Sequence, residues 1–221
     1  MKHSFDFALT TYCQAKCRSC ARTNQETGEK ETWVPLQHMK LDVFEKRLKA
    51  TQGHIEFSDI EFCGEFGDPM MNPQIDDFID TALKYAPEVS ISTNGGLRQP
   101  EWYKSISQKY KDKLIINFAI DGTDHDTNWK YREGVDFQRA MDNMIAFTRG
   151  GGNRASWWFL IFDWNWHQVP LAKQMADELD IRITFNYNRR WIGLITPENK
   201  KASEKLNRDN NIQIGFDNAK M

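Results

Sequence analysis

Short apolar runs rich in β-branched and aromatic residues alternate along this chain with longer segments whose apolar residues recur every three or four positions. The short runs occupy residues 5–9, 55–63, 89–93, 114–120, 157–162 and 181–187, and each is expected to be a strand. Between the first two, residues 41–51 carry Leu41, Phe44 and Leu48 on one stripe, with Asp42, Glu45, Lys46 and Lys49 outside it. Residues 73–86 turn Ile75, Phe78, Ile79 and Leu83 inward, and residues 136–149 do the same with Phe137, Met141, Met144 and Ile145. Residues 101–110 and 169–179 complete the expected helices between strands. From Arg189 onward the chain is mostly polar, with a helix expected only over residues 197–206. Gly150-Gly151-Gly152-Asn153 reads as a short flexible turn, and no internal repeat is present.

Six strands alternating with helices predict an α/β fold, a parallel sheet wound into a partial (βα)6 TIM-like barrel. Residues 1–188 would form that barrel and residues 189–221 a tail that caps its mouth, with Trp191 as anchor. Such folds place their chemistry at the C-terminal ends of the strands. Here Cys13, Cys17 and Cys20 follow the first run, and Cys63-Gly64-Glu65-Phe66-Gly67-Asp68-Pro69 ends the second. Thr93-Asn94-Gly95-Gly96 ends the third, Asp121-Gly122 the fourth, and Asp163-Trp164-Asn165 the fifth. Strand six would set Arg182, Thr184, Asn186 and Asn188 on one face, a lumen made for a polar ligand. Arg189 and Arg190 add charge near the same rim.

Composition narrows the choice. The 221 residues include 29 Lys plus Arg against 31 Asp plus Glu, a net charge of −2. That balance gives no basic excess for nucleic acid. No apolar run reaches the roughly 20 residues that cross a bilayer. Asp6 interrupts any signal-peptide core, so a cytoplasmic location with reduced thiols is expected. Of four Cys, three fall in the run Cys13-Gln14-Ala15-Lys16-Cys17-Arg18-Ser19-Cys20, a C-x3-C-x2-C motif.

Three thiolates on one tight loop can hold three corners of a cubane iron–sulfur cluster and leave the fourth iron open. An open position suits catalysis, whereas a closed four-ligand site is structural. Two other readings stand beside this one. A structural zinc could take Cys63 as a remote fourth ligand, although no second hook of paired ligands is present. The thiols could also be chance core residues, against which Lys16 and Arg18 between them argue.

Set just after a first strand in a (βα)6 pattern, this motif resembles the radical S-adenosylmethionine (radical SAM) superfamily, over about residues 5–187. The resemblance implies a 4Fe–4S cluster on Cys13, Cys17 and Cys20, with S-adenosylmethionine (SAM) bound to the open iron. It further implies reductive cleavage of SAM to a 5′-deoxyadenosyl radical that abstracts a substrate hydrogen atom, the electron coming from a donor such as a flavodoxin or ferredoxin. Residues 63–69 are similar to the family's Gly-Gly-Glu-type segment. Gly64 and Gly67 would then let backbone carbonyls approach SAM, and Glu65 or Asp68 would meet its amino group. Ser92-Thr93-Asn94-Gly95 resembles the family's Thr-Asn-Gly, which puts Thr93 and Asn94 near SAM. Ala119-Ile120-Asp121-Gly122 resembles its Ser-x-Asp-Gly, with Asp121 kept and Ala119 in place of the Ser. His125-Asp126 and Tyr131-Arg132-Glu133-Gly134 resemble a stretch of the peptide-modifying and molybdopterin-type branch, which gives Arg132 the SAM carboxylate. Trp164-Asn165-Trp166-His167 resembles a turn of the same branch, in which His167 is expected to cap or pack. The aromatic residue that often precedes the third Cys is Ser19 here, so Tyr12 or Phe66 is expected to meet the adenine.

Residues 189–221 contain no Cys, so the Cys-rich auxiliary-cluster extension of peptide-modifying members is not expected. Cys63 is left as a candidate catalytic hydrogen-atom donor, suited to an epimerase, or as a small buried strand-end residue. Trp158 or Trp164 is expected to face the lumen. The expected substrate is a peptide or protein side chain, from the branch resemblance. A nucleoside or small metabolite is the alternative chemistry, and a non-catalytic iron–sulfur or zinc module the alternative class.

Overall fold

The structure, a computed structural model, describes residues 2–24, 26–152, 154–189 and 193–215. Six strands form one sheet: β1 (Lys2–Phe7), β2 (Glu56–Phe62), β3 (Val89–Thr93), β4 (Leu114–Ala119), β5 (Ala155–Ile161) and β6 (Arg182–Tyr187). Each strand pairs in parallel with the next in sequence, which leaves β1 and β6 at the two edges. Helices α1 (Leu41–Thr51), α2 (Ile75–Ala82), α3 (Pro100–Tyr110), α4 (His125–Trp129), α5 (Phe137–Phe147) and α6 (Val169–Glu178) fill the crossovers, and α7 (Pro197–Asp209) follows β6. Sequential order with helical crossovers curves the sheet in one direction, which is the partial barrel expected.

Period-two patterning sorts the two faces. Phe57, Ile60 and Phe62 of β2, Val89 and Ile91 of β3, Leu114, Ile116 and Phe118 of β4, and Trp157, Phe159 and Ile161 of β5 are buried in the helix-covered core. The other face is polar along most of the sheet. Ser4 donates to Asp59 at 2.7 Å, Ser92 to Glu61 at 2.8 Å, and Asn117 and Ser156 stand on β4 and β5. The polar lumen expected from strand six therefore extends to its neighbours.

Several boundaries differ from the expected ones. The first strand is Lys2–Phe7 rather than residues 5–9, because Lys2, His3 and Ser4 also pair with β2. Asp6 falls on the polar face beside Glu61 while Phe5 and Phe7 pack on Phe57 and Phe44. Leu9 and Thr10 belong to the following loop, where the Leu9 carbonyl accepts from Met39. Helix α2 starts later, after Asn72 accepts from the Gln74 amide at 2.9 Å. Helix α4 was not foreseen; Asp124 caps it by accepting from the Thr127 amide at 2.7 Å. The glycine turn at 150–152 follows α5 and docks on α3, with Gly151 at a φ of 105° and the Gly152 amide on Ser107 Oγ. Asn153 lies outside the described residues.

The tail runs along the β6 edge and the turn after β5. The Gly215 amide donates to the Phe185 carbonyl, Thr196 and Asn199 donate to Asp163, and Tyr187 bonds Ser203. The expected anchor Trp191 and the rim residue Arg190 lie outside the described residues. No helix among the described residues is long and apolar enough to cross a membrane.

Candidate active site

The loop after β1 carries the three thiols, Cys17 buried and Cys13 and Cys20 half-buried. Its backbone is fixed at several points. The Lys16 amide donates to the Glu133 carbonyl at 2.8 Å, Cys20 to the Cys17 carbonyl, and Thr23 to the Cys20 carbonyl. Arg22 reaches back to donate to the Cys13 and Ala15 carbonyls at 3.0 and 3.4 Å. The loop after β2 lies directly against this one. A side chain at Gly67 would collide with the Thr10 and Tyr12 carbonyl oxygens, and the Asp68 amide donates to the Tyr12 carbonyl at 2.8 Å.

Between these loops and the ends of β3 to β5 lies a cavity of about 390 Å³. Cys13, Cys17, Cys20, Gly64, Glu65, Gly67, Asp68, Thr93, Asn94 and Arg132 all line it, so the fold gathers these candidates from four separate loops. No described tail residue lines it. Two candidates stand elsewhere. Asp121 lies behind Arg132, and Cys63 continues the polar face of β2, where burial and the carboxylates of Asp6, Glu61 and Glu65 push its thiol up.

Asp68 is fully engaged within the protein. Its Oδ1 accepts from the Met70 amide at 3.0 Å, its Oδ2 accepts from the Asn94 amide at 2.8 Å, and the Thr93 hydroxyl lies 2.9 Å from both oxygens. Burial raises its carboxyl while those donors oppose the rise. Asp68 thus clasps the loop after β2 to the end of β3. Asn94 extends the clasp to the cysteine loop: Gln14 Nε2 donates to Asn94 Oδ1 at 2.7 Å, and Asn94 Nδ2 is 3.7 Å from the Cys13 sulfur. Glu65, by contrast, is exposed on the cavity wall.

Arg132 donates from Nε to Asp121 Oδ2 at 2.7 Å, and one terminal nitrogen is 3.9 Å from the Cys17 sulfur. Asp121 is itself pinned, with its Oδ1 accepting from the Leu160 amide and its backbone held by Asn128 and Asn165. The aromatic expectation is corrected. Tyr12 stacks on His38 at 4.6 Å and Phe66 meets Trp33 edge-on at 5.7 Å, both away from the cavity wall. Tyr131 and Trp158 line the cavity instead. Trp164 stacks on Phe162 at 4.6 Å, and His167 is an exposed residue set edge-on to Trp166.

Sequence reasoning passed over Arg22, Gln14 and Tyr131. Arg22 had a signal, a cation two positions beyond the third Cys; Gln14 bonds a residue 80 positions away and had none.

Among the described residues, no three His, Cys, Asp or Glu side chains converge on a single ion. The three thiols instead stand around one cavity, an arrangement suited to a multi-atom cluster whose corners lie farther apart than the ligands of one ion. Cys63 is absent from that wall, so the zinc reading loses its fourth ligand. Burial, with Asp68 beside it, pushes the Cys13 thiol up to about 12, and burial raises Cys17. Thiols bind a metal group as thiolates, so its uptake releases protons.

A family model described as the radical SAM superfamily matches residues 7–173. The fold is similar to that of SuiB from Streptococcus suis with S-adenosylmethionine bound, at a TM-score of 0.71 and 14% identity over 97% of this chain and 47% of that one. It is also similar to anSMEcpe with bound AdoMet and a Kp18Cys peptide, at a TM-score of 0.67 and 14% identity over 96% of this chain and 64% of that one. A Pyrococcus furiosus protein named a tungsten-containing aldehyde ferredoxin oxidoreductase cofactor-modifying protein is 27% identical over 113 residues, 51% of this chain and 29% of the relative. The chain thus spans less than a third of that relative and about half of SuiB. With its partial barrel, its thiol triad and a family match over most of its length, the chain belongs to the radical SAM superfamily, whose 4Fe–4S cluster and S-adenosylmethionine are its cofactors.

Proposed function

We propose that this chain is a radical SAM enzyme that abstracts a hydrogen atom from a peptide or protein side chain. The observation that carries the reading is the single cavity shared by Cys13, Cys17, Cys20, the Asp68 clasp and the Asp121-held Arg132. When bound, the cluster and SAM supply reductive cleavage of SAM and a radical able to take a hydrogen atom. The chain's own residues bind, orient and shield. Cys13, Cys17 and Cys20 hold the cluster. Arg132 meets the SAM carboxylate with a guanidinium whose angle Asp121 fixes. Glu65 meets the amino group, because Asp68 already has its donors and serves to position Gly67, Thr93 and Asn94. Tyr131 and Trp158 offer flat surface for the adenine.

The peptide substrate class draws support from the similarity to anSMEcpe, a structure solved with a peptide. The polar inner face favours a second reading, a nucleoside or small metabolite. Four free thiols suit a reducing compartment such as the cytoplasm, with a flavodoxin- or ferredoxin-like electron donor. Residues 1–188 act as the barrel and 189–221 as an appended tail.

Anaerobic reconstitution tests the reading. The protein with SAM and a strong reductant is expected to form 5′-deoxyadenosine, and Cys17→Ala to abolish it. No 5′-deoxyadenosine from a loaded cluster, together with an EPR spectrum that ignores SAM, would leave a non-catalytic iron–sulfur module. Product analysis with candidate peptides and nucleosides separates the two substrate classes.

A further inference from the structure

Arg22 is a buried cation, 7% exposed, on the wall of the cysteine cavity. One terminal nitrogen donates to the Cys13 and Ala15 carbonyls, and its Nε is buried without a hydrogen-bond partner. Among the described residues no carboxylate lies within ion-pairing distance of it. Arg132 differs, since Asp121 balances its charge at 2.7 Å. Asp68, the buried carboxylate of the wall, is occupied by Met70, Thr93 and Asn94. A buried charge without a counter-charge is strongly destabilising, so a fold that keeps one there calls for an anion.

The anion that suits this place is the cluster itself. A four-iron core on three thiolates is net negative and gains one further negative charge on reduction. We propose that Arg22 is the counter-charge of the 4Fe–4S cluster, holding a fixed positive charge beside Cys13 that favours the reduced state. The inference rests on the cluster assignment above. The carbonyl bonds to Cys13 and Ala15 fix where the charge sits, so it acts on the cluster with no reorganisation. Because the more negative state gains more from a nearby cation, the reduction potential rises.

Arg22→Gln and Arg22→Lys, reconstituted anaerobically without SAM, test this by iron and sulfide content and by EPR-monitored redox titration. A loaded Arg22→Gln protein is expected to hold about tenfold less reduced cluster at a fixed potential, equivalent to about 59 mV for one electron. Arg22→Lys is expected to restore most of that loss. An unchanged potential in loaded Arg22→Gln overturns the proposal. If Arg22→Gln takes up no cluster, Arg22→Lys decides: a loaded protein near the wild-type potential supports the charge, and an empty one overturns it in favour of a purely structural tie. Leaving SAM out separates this role from any contact to the SAM carboxylate. A wild-type chain that takes up no iron would overturn the cluster assignment instead.

Discussion

Arg132 and Asp121 form a buried ion pair, 2.7 Å between Nε and Oδ2, with the carboxylate fully enclosed and the guanidinium edge close to the Cys17 sulfur. Removing one partner of such a pair leaves an uncompensated buried charge, which costs about 3–5 kcal/mol. Asp121→Asn is therefore expected to lower the urea midpoint strongly. Arg132→Lys keeps the charge but loses the fork, and is expected to weaken SAM binding about tenfold while iron content stays at wild-type level. Equilibrium binding and iron assay on the same preparation check this; undiminished SAM affinity would remove Arg132 from the SAM site.

The Asp68 clasp predicts a different signature. In Asp68→Asn an amide nitrogen must face one of the backbone donors of Met70 or Asn94, leaving a buried donor unpaired at a cost of about 1–3 kcal/mol. Thr93→Val removes the hydroxyl that lies between both oxygens and is expected to act in the same direction. The two losses should be non-additive in a double-mutant cycle by chemical denaturation, because both act on one network. Simple additivity would contradict the clasp.

Asp124 carries the pH dependence of α4. Burial works to raise its carboxyl, but the Thr127 amide and hydroxyl and Gln168 outweigh it, and the net shift is downward. A carboxylate lowered in the folded state contributes stability above its unfolded value and loses it as pH falls through the folded one. Asp124→Ala is expected to cost about 1 kcal/mol at neutral pH, as a lost helix cap does, and nearly nothing in strong acid. Urea curves at both pH values read the difference, and equal losses would refute it.

Cys63 gives a chemical test. If its thiol returns a hydrogen atom to a substrate radical, turnover in deuterated water places deuterium in the product, and Cys63→Ala abolishes that incorporation. Deuterium incorporation that survives the substitution assigns Cys63 to strand-end packing.

Much of this molecule was legible in its sequence. Val89–Thr93 has the bounds its alternation predicts, and the ends of the other strands move by up to three residues, most in β1, where Lys2, His3 and Ser4 pair with β2. The thiol triad and Thr93, Asn94 and Arg132 fall on one cavity because strand-end motifs of a barrel must converge. What spacing could not show was which side chains pair. Asp68 and Thr93 are 25 residues apart, and only the adjacency of β2 and β3 joins them. The cavity aromatics were misplaced for a similar reason: Tyr12 neighbours Cys13 in sequence, but its ring turns away onto His38.

The three thiols hang from β1, an edge strand paired on one side only, with β2. A cluster bound there staples that strand's exit loop to the loops after β2 and β3. Iron loss should then be felt first as faster amide hydrogen exchange in β1, while the central strands β3 and β4 keep their protection. The cofactor would thus secure the margin of the sheet that carries it, so that oxidative loss of iron and fraying of the chain's first strand become one event.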